Sequence, residues 1–300
     1  MRIGVVGLGD IAAKAYLPVL GATPGLDLRF CTRNSETLHR LGDTYRVPSR
    51  FTDLGELIRS GIDAAFVHAA TEAHSEIVSR LLEAGVSVYV DKPLAYHLAD
   101  VEKLVRLGRE RERSLMVGFN RRYAPGYAAL AKLPRNLIVL QKNRTGQAED
   151  PRAATFDDFI HVADTLRFLA PGEITTTRIT TRVVDGLLEH IVLELGGAGF
   201  TALGLMSRVS GAAEESCETM GGGQKHRVVN LGDTITYTGN GETLVRRPDW
   251  TPVSRQRGIE QVVYEFLEAV REGRLLDAGD ALETHRLCEE IVRSANGDQG

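Results

Sequence analysis

Three groups of residues in this chain have the types and spacing to do chemistry. Gly7-Leu8-Gly9-Asp10-Ile11-Ala12 follows the short β-branched run Ile3–Val6 and opens a helical pattern, in the frame G-x-G-x-x-A. The first glycine permits a tight turn, the second lets backbone amides approach a pyrophosphate, and the alanine allows close helix–strand packing. The helix end then offers N–H donors and partial positive charge to an anion. Asp91-Lys92-Pro93 closes the run Ala84–Val90, so charged groups stand at a strand's carboxyl end, the edge where open α/β sheets bind ligands. Pro93 biases Lys92 toward extended backbone. Asp157, His161 and Asp164 fall at i, i+4 and i+7, one stripe of a helix whose other face carries Phe159, Val162, Ala163, Leu166 and Leu169. A histidine flanked by carboxylates can accept a proton from an alcohol, because adjacent negative charge stabilises the imidazolium. Taken alone, a solvated strand-end lysine and a wet polar helix face are the plainer readings of the last two groups.

The glycine turn, with Asp10 and Ile11, is expected to hold a dinucleotide. Selectivity for NAD usually comes from an acid about 20 residues on, at the end of the second strand. Here that strand ends Phe30-Cys31-Thr32-Arg33-Asn34, with no carboxylate before Glu36. Arg33 can grip a 2′-phosphate as a fork, with Thr32 and Asn34 adding hydrogen bonds. NADP is therefore expected ahead of NAD, with a plain surface arginine as the alternative.

The elements that must position these groups alternate through the first 120 residues. Ile3–Val6, Leu26–Cys31, Ala64–His68, Val86–Val90 and Leu115–Val117 read as strands. Ile11–Leu20, Glu36–Tyr45, Leu54–Ser60, His74–Ala84 and Leu98–Arg111 read as helices. Strict alternation predicts a parallel sheet with right-handed crossovers. Beyond Pro125 the texture changes to strand-like runs at 137–140, 175–184, 187–195, 200–209, 227–231 and 234–237, broken by glycine turns. Helices are expected at 156–169, 259–272 and 281–294, and a polar loop at 143–155. Lys142 and Arg144 read as a solvated strand edge, with contact to a substrate carboxylate or phosphate as the alternative.

Composition narrows the classes. With 300 residues, 43% hydrophobic and 25% charged, the chain suits two globular domains. A net charge of −4 gives no general attraction to nucleic acid or an anionic membrane. Three scattered cysteines suit neither a disulfide framework nor a zinc knuckle. His68, His190, His226 and His285 have no partners at metal-ligand spacing, and no metal is expected. The amino terminus runs straight into the first strand, and no apolar stretch reaches membrane-spanning length. A cytoplasmic location is expected.

Five blocks, Gly7–Ala12, Val67–His74, Asp91–Pro93, Gly118–Pro125 and Asp157–Asp164, together resemble the glucose–fructose oxidoreductase/inositol dehydrogenase/MocA (Gfo/Idh/MocA) family, in its order and approximate spacing. Their wording is similar to the short bacterial MviM-type branch. The resemblance implies a Rossmann doubly wound parallel sheet at 1–121. It also implies an open-faced, mainly antiparallel α+β domain at 122–300 for substrate binding and dimerisation, with the helix 281–294 packing on either. It implies hydride transfer between a nicotinamide cofactor and a secondary alcohol or ketone of a sugar, inositol or related polyol, in a homodimer or homotetramer built through the second sheet. Lys92, His161 and Asp157 then become the catalytic residues, with Lys92 and Asp91 also at the cofactor, joined there by Ala70, Thr71 and His74. Asn120, Arg122 and Tyr123 follow the fifth strand and should open on the cleft as substrate or cofactor contacts, with capping and a domain hinge as the alternatives, and Asp164 is counted with them as a substrate contact. Asp91 departs from the family's commoner glutamate. Two alternatives share the scaffold: a non-enzymatic NADP-binding regulator and a cofactor-assisted glycoside hydrolase.

Overall fold

The computed structural model describes residues 1–297. They divide into two units, Met1–Phe119 with Ile259–Leu282, and Asn120–Gly258 with the segment that begins at Glu283.

The first unit is built on six strands: β1 (Arg2–Val6), β2 (Asp27–Cys31), β3 (Ser49–Phe51), β4 (Ala64–Val67), β5 (Ser87–Val90) and β6 (Leu115–Val117). All pair in parallel, in the order β3-β2-β1-β4-β5-β6. That is the order of a dinucleotide-binding sheet, with its switch point between β1 and β4. β4 is buried along its whole length and β1 except at Arg2, which is why both read as continuous apolar runs and not as alternation. β3 is the strand of this unit that the sequence reading missed. It has three half-buried residues, too few to show a period.

Residues 259–282, expected in the second domain, group with the first. The helix Ile259–Glu272 buries Val262, Val263, Phe266 and Leu267, and the Phe266 ring stands edge-on to Phe66 with centroids 5.2 Å apart. Beyond it, the backbone N–H of Leu115 donates to Leu276 O at 2.9 Å, and Arg109 clasps Asp277 at 2.6 and 2.8 Å. An aromatic anchor and a returning backbone bond outweigh chain order.

The second unit holds eight strands: β7 (Leu137–Asn143), β8 (Thr176–Val184), β9 (Leu187–Gly197), β10 (Phe200–Ser207), β11 (Glu214–Gly221), β12 (Gln224–Val229), β13 (Asp233–Thr238) and β14 (Gly241–Val245). Their order is β14-β13-β12-β11-β7-β10-β9-β8, antiparallel except where β10 runs parallel to β7. The helix Ile160–Leu169 covers β7 and β10, with Val162, Ala163, Leu166 and Leu169 fully buried. The expected loop at 143–155 is tied down instead of free. Arg144 N donates to Ser207 O, Gln147 N to Arg208 O and Leu188 N to Glu149 O, each at 2.8 Å, and Asp150 caps the turn Pro151–Ala153.

Candidate active site

The carboxyl ends of β1, β2, β3 and β4 open on a cleft of ≈ 420 Å³. It gathers Gly7, Gly9, Thr32, Arg33 and Ala70 from the sequence reading, together with Thr52, Asp53 and Arg80, which that reading missed. Gly7 has φ +85°, and a Cβ there would stand 2.5 Å from Ala69 N. Only glycine fits this turn. Gly9 differs: nothing in the protein lies within 4 Å of where its Cβ would be, so packing alone does not demand glycine there, whereas a ligand pressed against the backbone does. Gly9→Ala should therefore leave stability within about 0.5 kcal/mol of wild type and weaken dinucleotide binding by about tenfold or more, roughly 1.4 kcal/mol. Thermal unfolding and cofactor fluorescence titration read the two effects, and an unchanged Kd would contradict the assignment.

The residues present fit a dinucleotide in two further respects. Arg33 is exposed and has no ion pair among the described residues. The His68 ring lines the cleft with its Nε2 buried and lacking a hydrogen-bond partner among the described residues. Asp53, the acid nearest in kind to a ribose acceptor, already caps a helix by accepting from Glu56 N at 2.9 Å. Asn34 is likewise a helix cap, accepting from Thr37 N at 2.9 Å. Asp10 is exposed and pairs with Lys14 at 2.6 Å, and Ile11 is exposed beside it.

Lys92 follows β5 and is half-buried, and the Lys92–Pro93 peptide is cis. The residues around it brace the loop. His68 Nδ1 donates to Asp91 Oδ2 at 2.7 Å, and the Tyr16 ring lies 4.1 Å from the His68 ring, with its hydroxyl 2.8 Å from Tyr89 Oη. Burial opposes ionisation of Asp91, but its interactions with His68 and the hydrogen bond from Tyr16 hold its pKa below the ordinary carboxylate value. Asp91 is thus engaged by its own fold. His74 is buried, with its ring nitrogens 2.9 Å from Pro93 O and 2.9 Å from Ala69 O, and burial lowers its pKa. It ties the helix that Thr71 begins to the lysine loop.

In the second unit the acids separate. A π-helical turn, Ala154–Phe159, precedes the helix Ile160–Leu169. It leaves Asp157 exposed, Asp158 buried and His161 half-buried. Asp164, expected on the same polar stripe as His161, is buried. It accepts from Arg122 at 2.6 and 2.9 Å and from Thr284 at 3.1 Å. Burial pushes the Asp164 carboxyl up even with Arg122 in place. Arg122 and Asp164 are therefore bound to each other and form a strut, and Asn120 Nδ2 donates to Arg257 O at 2.6 Å. Tyr123 is half-buried on the same short helical turn, Asn120–Tyr123.

On the same turn, Arg121 binds Glu215 through two hydrogen bonds of 2.7 Å. Burial alone would raise Glu215, but the Arg121 charge and hydrogen bonds outweigh it and lower the pKa to about 2. A carboxylate depressed in the folded state stabilises above its unfolded pKa, and that contribution disappears as pH falls through the folded value. Stability should drop between about pH 4.5 and 2, on the order of 3 kcal/mol from this group. Urea unfolding of wild type and Glu215→Gln across that range checks it, since the variant should lack this component.

A Rossmann unit with a dinucleotide cleft and a lysine at the end of β5, in a chain that also carries an open-sheet unit, defines a nicotinamide-dependent oxidoreductase. Residues 1–119 match the model of the Gfo/Idh/MocA oxidoreductase family, NAD-binding Rossmann fold. The protein YceM of Salmonella typhimurium, named as an oxidoreductase without a stated substrate, is 34% identical over 98% of each chain. A crystal structure of a Gfo/Idh/MocA family oxidoreductase from Vibrio cholerae superposes with a TM-score of 0.93 at 30% identity, covering 99% of this chain and 98% of that one. A myo-inositol dehydrogenase of Streptomyces leeuwenhoekii is 37% identical over 43% of this chain and 40% of its own. The chain belongs to the Gfo/Idh/MocA family.

Proposed function

We propose that this chain transfers a hydride between NADP(H) and a secondary alcohol or ketone of a sugar, inositol or related polyol. The observation that carries the reading is the cleft at the switch point, with its open space before Gly9 and an Arg33 that has no ion pair among the described residues, in a family member that keeps both Lys92 and His161. The bound nicotinamide supplies the hydride chemistry. His161 takes the hydroxyl proton in oxidation and returns it in reduction, and Asp157 orients or helps protonate the pair. Lys92 orients the reacting oxygen and stabilises developing alkoxide charge. Ala70 and Thr71 lie at the helix start beside the cleft, where an amide end favours the pyrophosphate. Retention of the lysine and histidine speaks against a purely regulatory protein. A hydrolase would release sugar without net change in cofactor.

Arg33 carries the choice of NADP over NAD. Arg33→Ala should weaken NADPH binding by about tenfold or more, the scale of one charge-assisted contact, and leave NADH binding within about threefold. Fluorescence titration of both cofactors reads this, and tighter NADH than NADPH binding by the wild type refutes the arginine reading. The face of the eight-stranded sheet opposite the helix Ile160–Leu169 carries half-buried Val139, Val192, Leu203 and Leu205. We assign to it self-association as a homodimer or homotetramer, in the cytoplasm. Among the described residues no helix is long and apolar enough to cross a membrane.

A further inference from the structure

The second unit holds a cavity that the proposed chemistry does not use. Its volume is ≈ 390 Å³, and its walls come from the helix Pro125–Leu130, the turn between β12 and β13, and the stretch from Val245 to Gln256. Pro125, Ala129, Leu231 and Pro248 give it apolar surface. Arg246, Arg247 and Arg255 line it as well, and among the described residues no Asp or Glu does. Lys142 and Arg144, expected on a solvated strand edge, both hold Asp158 and are used within the fold. Arg246 and Arg247 are instead exposed, with no ion pair among the described residues. Of the acids near them, Asp233 accepts from the Arg247 backbone N–H at 3.1 Å, and Asp249 is exposed outside the lining. Positive charge beside apolar surface complements an anion carried on an apolar body.

The Arg247 side chain is held in a way that suits such a group. Its Nη1 donates to Gln256 Oε1 at 2.5 Å, and Gln256 Nε2 donates in turn to Asn230 O at 2.9 Å. Nε and Nη2 have no hydrogen bond among the described residues. Those two groups form the edge that meets a carboxylate through two parallel bonds, and a fork already fixed on its other side loses less freedom in binding. The cavity floor carries strain. Asn230 and Leu231 both have left-handed torsions, φ +49° and +59°, and the second such place in a tight hairpin usually goes to glycine. Leu231 occupies it nonetheless, 4% exposed and lining the cavity. Backbone strain of this kind gathers at ligand clamps. Asn230 also anchors Gln256, so the apolar floor and the arginine fork are fixed together.

We propose that this cavity is a second ligand site, for a carboxylic acid with an apolar body. The Nε–Nη2 edge of Arg247 receives the carboxylate, Arg246 adds charge at the rim, and the body rests on Leu231, Ala129 and Pro125. The site shares no lining residue with the dinucleotide cleft and does not depend on the roles given to Lys92 and His161. One free edge suits a planar carboxylate, whereas a phosphate dianion calls for more donors. A second copy of the chain docked here across a two-fold axis would set arginine against arginine, which disfavours that occupant.

The test is calorimetric titration of the full chain, saturated with whichever of NADP⁺ and NAD⁺ binds tighter, with octanoate, neutral octanamide, acetate and octyl phosphate. Octanoate should bind about tenfold or more tighter than each of the other three, and more weakly as salt rises. Arg247→Ala should weaken octanoate by about tenfold or more, the scale of one bidentate charged contact. Arg247→Lys should lose nearly as much, because it keeps the charge and not the edge. Ala129→Trp, at an exposed wall of the cavity, should block octanoate. All three variants should bind the cofactor within about threefold of wild type, the sign of an intact fold. Octanamide, acetate or octyl phosphate binding as tightly as octanoate overturns the proposal. So does an absence of octanoate binding, its displacement by excess cofactor, or an affinity unchanged in Arg247→Ala and Ala129→Trp. Octanoate binding that disappears as protein concentration rises would give the cavity to a second copy and overturn it too.

Discussion

Replacing Lys92 with methionine is expected to cut turnover by about 10²-fold or more, the scale of one lost acid–base or oxyanion group, with cofactor binding still measurable. The expectation follows from where the braces around the lysine end. The carboxylate of Asp91 is engaged by His68 Nδ1 at 2.7 Å, and His74 holds Pro93 O and Ala69 O. The loop backbone is therefore fixed by residues other than Lys92, and methionine keeps much of the stem's apolar length. What the substitution removes is the ammonium, so the loss should fall on kcat and kcat/KM together, as for an interaction made in the transition state. A rise in KM with kcat unchanged would instead make Lys92 a ground-state anchor.

Arg122→Met is expected to lower stability by about 3–5 kcal/mol, because it leaves the buried Asp164 carboxylate without its main counter-charge. The sign of the pH dependence is distinctive. Burial already raises Asp164 above its usual value, and loss of Arg122 raises it further. A carboxylate raised in the folded state binds its proton more readily there than when unfolded. The penalty is therefore absent below the unfolded pKa and grows as pH climbs toward the folded one. Urea unfolding should show the variant closest to wild type near pH 4 and furthest from it at pH 7 to 8. Full stability with a raised KM would return Arg122 to the substrate, as the sequence reading had it.

The first unit was legible because its strands are short apolar runs punctuated by glycines, and because G-x-G-x-x-A falls between a strand and a helix. The chemistry-bearing edges were legible for the same reason. Thr52 and Asp53 were missed with β3, although a doubly wound sheet brings every strand's carboxyl end to the cleft. β11 was missed because Ser216, Cys217 and Thr219 are its buried residues, small groups that give no hydrophobic alternation. The stripe through Asp157, His161 and Asp164 assumed a period of 3.6, and the π-helical turn at Ala154–Phe159 changes the phase. Lys142 read as solvated because its partner Asp158 lies 16 residues on, joined to it only by tertiary folding. Asp91, a departure from the family's glutamate, acquires a physical account: its shorter side chain meets His68, a partner 23 residues earlier in the chain.

The most direct measurement is absorbance at 340 nm with NADP⁺ or NAD⁺ and a panel of polyols, sugars and polyhydroxy acids, run side by side on wild type, Lys92→Met and His161→Ala. The account requires reduction of the cofactor by the wild type with at least one secondary alcohol, and rates about 10²-fold lower or less than that in both variants. Tight cofactor binding with every alcohol silent, or variants as active as the wild type, would contradict it.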